Sequence, residues 1–141
     1  MRRLGPDFVL AATSCLLVAG GALADSLEGK TAFLCSAVEV TICTADGICE
    51  SEVPWNLNIP QFLHVDLAGK RLATTQASGE NRSSPIEHSK RENGQIFIQG
   101  IEGGRAFSMV LRERDGLASI AIAADGLTIA VFGACTPESQ R

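Results

Sequence analysis

Five cysteines and two histidines are the residues of this 141-residue chain best equipped for chemistry. Cys15 falls in an apolar N-terminal stretch, which leaves Cys35, Cys43, Cys49 and Cys135. A thiol can ligate a metal, take part in redox exchange or form half of a disulfide, and spacing separates these roles. Zinc cages and redox dithiols favour C-x-x-C pairs, and none occurs. An even cysteine count in an exported chain reads as disulfides. Four cysteines permit three pairings, and spacing favours one. Cys43 and Cys49 flank Asp46-Gly47, a tight-turn dipeptide, so their bridge would pin a hairpin tip. Cys35 and Cys135 would tie the first strand to the last.

The other chemical candidates are sparse. His64 and Asp66 lie two apart, so on a strand they share a face with Phe62. Such a pair can act as a base, a metal ligand or a pH switch, or stand as a polar pair on a solvated face, the commoner outcome. His88 and Lys90 share a face in the same way, without metal-ligand spacing to His64. No nucleophile elbow surrounds Ser108 or Ser119. Gly103-Gly104 precedes a strand pattern and reads as a turn, not a phosphate cradle. Asn81-Arg82-Ser83 matches a glycosylation sequon, which has meaning only in a eukaryotic secretory route. The expectation is no catalytic residue, no cofactor and no metal.

The elements that would position these residues begin with an address. Arg2 and Arg3 precede an apolar stretch from Phe8 to Leu23, and Ala22-Leu23-Ala24 is a small-x-small cleavage pattern. Residues 1–24 thus read as a signal peptide, with residues 25–141 as one domain. The stretch falls short of the ~20 residues of a spanning helix, so a membrane anchor is disfavoured. No later segment is long enough to span either. The expected location is periplasmic or secreted, with no stable membrane insertion after cleavage. A net charge of −4 argues against a nucleic-acid partner, because phosphate binding needs surplus cations. Seven aromatic residues, none of them Tyr, offer few stacking platforms for single strands.

Turn signals set the architecture. Asn93-Gly94, Gly103-Gly104, Asp115-Gly116 and Asp125-Gly126 are hairpin dipeptides at nearly even intervals. They predict a meander with strands near 84–92, 95–102, 105–114, 117–124 and 127–134. Alternation agrees: Phe107, Met109 and Leu111 share one face, and Ala118, Ile120 and Ile122 another. Upstream, Phe33, Cys35 and Ala37 alternate, as do Leu63, Val65 and Leu67. Val53, Trp55, Leu57 and Ile59 also alternate, interrupted by Pro54. Residues 71–76 are a short candidate strand, and 77–85 read as an exposed loop. The fold class is all-β, with about eight antiparallel strands. Such a sheet must close or pair to protect its edges. A mostly up-and-down small barrel fits best, with a β-sandwich as the alternative.

The chain from Asp25 onward resembles small exported barrels of the lipocalin-like type, and its Phe33-Leu34-Cys35 start and Gly133-Ala134-Cys135 end resemble those of bacterial periplasmic inhibitors of c-type lysozyme, in strand-and-cysteine layout. That resemblance implies a small disulfide-clamped barrel. The lipocalin Gly-x-Trp signature is absent, since Trp55 follows Pro54. Ser78-Gly79 is present, but the Tyr that follows it in the inhibitor motif is not. No functional residue is carried over. The blocks 104–109 and 131–137 are similar to those of exported bacterial proteins without an assigned activity, which implies export and a β fold.

The stretch 117–134 carries one charge, Asp125, and that lies in the turn. A half-exposed strand should alternate with polar residues. This hairpin is therefore covered on both faces, or exposes an apolar patch, or lines an apolar cavity. Two functions follow as expectations. The first is an exported, non-catalytic interaction protein, with inhibition of another secreted or periplasmic protein as one form. The loop 77–85 would supply contacts, and 117–134 would pair with a partner or a second copy in a homodimer. The alternative is a carrier of a small apolar ligand in a barrel lumen. Trp55, Phe97, Phe107 and Phe132 are the candidate ligand or partner contacts.

Overall fold

A computed structural model describes residues 25–78 and 81–138. The expected signal peptide, residues 1–24, lies outside the described residues, as do Gly79 and Glu80 of the expected loop. The strands are β1 (Ala32–Thr44), β2 (Cys49–Glu52), β3 (Phe62–Asp66), β4 (Arg71–Thr74) and β5 (Ser83–Pro85). They continue with β6 (His88–Glu92), β7 (Gln95–Glu102), β8 (Arg105–Arg112), β9 (Leu117–Ala124) and β10 (Leu127–Pro137). Among the described residues, no helix is long and apolar enough to cross a membrane.

All ten strands belong to one antiparallel sheet. Its order is β5-β4-β3-β1-β10-β9-β8-β7-β6, with β2 as a side arm on β1. The two ends of that path, β5 and β6, are consecutive in the chain. Only Ile86 and Glu87 separate them. The Ile86 N–H donates to the Lys70 carbonyl at 2.9 Å, and the Glu87 N–H donates to the Gln99 carbonyl at 2.9 Å. Residues 83–92 therefore serve both edges, the first part against β4 and the second against β7. The sheet curls so that one segment joins its two edge strands, giving a barrel-like wall.

Three local readings are corrected. The expected loop 77–85 ends in a strand, because Ser83–Pro85 pairs with β4. The expected strand 84–92 is split at Ile86 and Glu87, because one segment cannot keep full register with two opposite edges. The apolar alternation at 53–59 is not a strand: Pro54–Leu57 forms a 3₁₀ turn, closed by Asn58 at φ 55°. Pro54 suits a first helical position, where its missing N–H costs nothing. The regular turns hold. Asn93-Gly94 and Gly103-Gly104 both have positive φ at both positions, as the primed two-residue hairpin demands.

Inward alternation builds the core. Phe33, Val40, Val65, Ile96, Ile98, Met109, Leu111 and Val131 are buried. Each such side chain contributes about 1.5–3 kcal/mol by leaving water. One end of the barrel is stoppered by the segment before β1. Leu27 is fully buried, and its N–H donates to the Glu113 carbonyl at 2.7 Å. The Arg91 guanidinium fastens this stopper through the Glu113 carboxylate and the Lys30 carbonyl. Both cysteine bridges form between directly opposed strand positions, Cys35–Cys135 across β1 and β10 and Cys43–Cys49 across β1 and β2. Disulfides persist in oxidising compartments, so the chain suits a place outside the cytoplasm.

Candidate functional site

The end opposite Leu27 is hollow. A cavity of about 120 Å³ opens there, walled by inward residues of the strands. Leu63, Leu72, Met109, Ile120, Ile122 and Val131 give it an apolar lining. Each comes from the period-2 face of its strand, so the same alternation that builds the core builds this wall. The volume decides what fits. A buried cavity near 150 Å³ accommodates benzene, so this lumen suits one ring or a short acyl chain, not a whole lipid.

Phe107 shapes the lumen at its middle. It stands opposite Gly100 in the β7–β8 register, and its ring occupies the space beside that glycine. A Cβ at Gly100 would overlap the ring and the Pro85 carbonyl oxygen. The glycine thus admits an inward aromatic ring where β5 also passes close by.

The rim is polar. Among the described residues, Arg82, Glu102 and Arg105 are the charged residues of the lining. The Ser84 hydroxyl donates to Glu102 Oε2 at 2.5 Å, and Arg82 Nη2 lies 3.6 Å from the same oxygen. Arg82 Nη1 also donates to the Asn58 carbonyl at 2.9 Å, fastening the 3₁₀ turn over the mouth. Ile59 and Pro60 follow that turn and complete the roof. Arg105 opposes Glu102 in register yet forms no ion pair with it. Among the described residues, the Arg105 guanidinium has no hydrogen-bond or ion-pair partner.

The four aromatic candidates part company. Phe107 lines the cavity. Phe97 is half-buried on the outer face, between Lys90 and Val110 in register. Phe132 and Trp55 are 50% and 62% exposed and lie outside the lumen. The 117–134 hairpin uses both faces: Ala118, Ile120, Ile122 and Val131 line the cavity, while Leu117 and Phe132 face solvent.

The polar candidates take separate partners. His64 Nδ1 meets the Glu138 carboxylate at 2.9 Å, not Asp66. Asp66 instead accepts the Gly69 N–H at 2.7 Å and lies 3.7 Å from Arg71. Lys90 pairs with Glu92 at 2.9 Å, leaving His88 exposed beside it. His88 and Ser108 flank Gln99 in register, so one strand separates them. Among the described residues, no group of three His, Cys, Asp or Glu side chains could hold a metal ion. The rim residues Arg82, Ser84, Glu102 and Arg105 are additions to the sequence reading. Two of them had a signal: Arg105 continues the face of Phe107, Met109 and Leu111, and Glu102 that of Ile96 and Ile98. Comparison of the chain with known protein families, with curated proteins and with solved structures finds no match in any of the three.

Proposed function

We propose that the protein is an exported carrier of a small, mainly apolar ligand. Residues 1–24 act as the cleaved signal, and the carrier works in the periplasm or as a secreted protein. One observation carries this reading: the apolar cavity of about 120 Å³ at the end of the barrel opposite Leu27. An apolar wall reached through an open mouth gains free energy when an apolar ligand removes it from water. The test is native mass spectrometry of protein exported through its own signal. A chain beginning at Asp25, with a small apolar adduct released on denaturation, is expected. A bare chain that takes up no apolar probe would overturn the reading.

A second reading rests on a different surface. Leu117 and Phe132 are each half exposed on the outer face of the 117–134 hairpin. They lie diagonally across β9 and β10, because Ala134 opposes Leu117 and Phe132 opposes Ser119. Such a pair suits contact with another protein, an inhibited target or a second copy included. Charge substitution at both positions should abolish that contact and leave the lumen intact.

A further inference from the structure

We infer that the ligand of this lumen carries a carboxylate, seated at the rim on Arg105. The inference rests on the carrier reading and adds the chemical class of the ligand. Three observations lead to it. The wall is apolar, so the body of the ligand is apolar. The charged residues of the lining among the described residues are Arg82, Glu102 and Arg105, and they are not equally engaged. Glu102 is already engaged by the Ser84 hydroxyl and faces Arg82, which is itself fastened to the Asn58 carbonyl. Arg105 stands beside this group with no partner among the described residues.

A half-buried guanidinium at the edge of an apolar pocket has lost part of its hydration without gaining a protein acceptor. Its planar fork matches the two oxygens of a carboxylate. Arg105 lies two positions before Phe107 on the same strand face, so a head group held there places its tail along Phe107, toward Met109 and Ile120. A cationic ligand would be repelled by Arg105, and a neutral one would offer it a dipole in place of a paired charge. The short reach of the cavity limits the tail to about six carbons.

The test compares hexanoate with 1-hexanol on protein produced from the full chain with both disulfides formed. Affinities are read by calorimetry on wild type, R105Q and R105K. Hexanoate should bind wild type about fivefold more tightly than the alcohol. R105Q should bring the affinity for hexanoate down to that for 1-hexanol. R105K should keep part of the preference, which separates loss of charge from loss of fold. Equal binding of the two probes to wild type, or a preference that survives in R105Q, would overturn the carboxylate assignment and leave the carrier reading standing. Failure of both probes to bind would overturn the carrier reading itself.

Discussion

Cys35 and Cys135 face each other across the first and last strands, with Cα atoms 3.9 Å apart, and Cys35 belongs to the wall of the lumen. The bridge closes a loop of 100 residues in sequence separation and fixes the seam where the meander returns to its start. The same seam holds the bend in β1 between Ala37 and Glu39, opposite Gly133. A Cβ at Gly133 would overlap the Ser36 carbonyl oxygen, so the two backbones approach there as only glycine permits.

The two bridges should differ in their contribution to stability. In the chain-entropy account the 100-residue loop contributes about 4–5 kcal/mol, and the loop of separation 6 about 2 kcal/mol. Urea unfolding of the C35A/C135A and C43A/C49A double variants should show that order. Equal losses would mean that the seam is held by strand pairing rather than by the bridge.

Phe107→Ala should enlarge the lumen. The ring lies against Gly100 and lines the cavity, so its loss costs about 3 kcal/mol. The same variant should accept longer tails, and tail length giving tightest binding should rise by two or more carbons. Unchanged length preference would place the ligand elsewhere.

The acid side of the stability curve should report Asp115. The hydrogen bond donated by Arg112 Nε at 2.7 Å holds its carboxyl below the ordinary aspartate range, and the Leu117 N–H adds to the effect. A carboxyl depressed in the folded state stabilises it above the ordinary value of about 3.9 and loses that contribution as the pH falls through the lower, folded value. The gap in unfolding midpoint between wild type and D115N should hold steady from about pH 5 to pH 8 and close below about pH 4. A gap that instead changes near pH 7 would contradict this assignment.

Leu117 and Phe132 should be dispensable to the lumen. The L117K/F132E variant changes half-exposed outer positions, so its stability should stay within about 1 kcal/mol of wild type. Its affinity for 1-hexanol should not change. Sedimentation of wild type and variant then addresses the second reading: loss of a dimer in the variant alone would establish the outer face as a self-association surface.

Much of the wall was legible in the chain. Asn93-Gly94 and Gly103-Gly104 define the two-residue hairpins, and β7 and β9 occupy the residues that these and the flanking signals predict. Spacing favoured the observed cysteine pairing: Cys43 and Cys49 flank the β1–β2 turn, and Cys35 and Cys135 lie near the two ends of the domain, on its first and last strands. The 53–59 stretch misled for a physical reason. Its alternation put Val53 and Trp55 on one face, but the buried residue is Pro54, while Val53 and Trp55 are exposed. A proline-led 3₁₀ turn inverts the strand pattern. The split of 83–92 was hidden because it depends on where two distant edges meet. The rim escaped for the same reason: Arg82 reads as loop, and only the curl of the sheet brings it to Glu102, 3.6 Å away.

The central claim is that the lumen binds an apolar ligand, and methyl-resolved NMR during titration with 1-hexanol tests it most directly. About six buried carbons are worth roughly 5 kcal/mol before ordering costs, which sets an affinity on the order of 0.1–1 mM or weaker. Saturable shifts at Ile120, Ile122 and Met109, with Leu117 unmoved, are the predicted result. Absence of shifts at the lumen methyls at saturating alcohol, or shifts confined to Leu117 and its outer neighbours, would contradict the account.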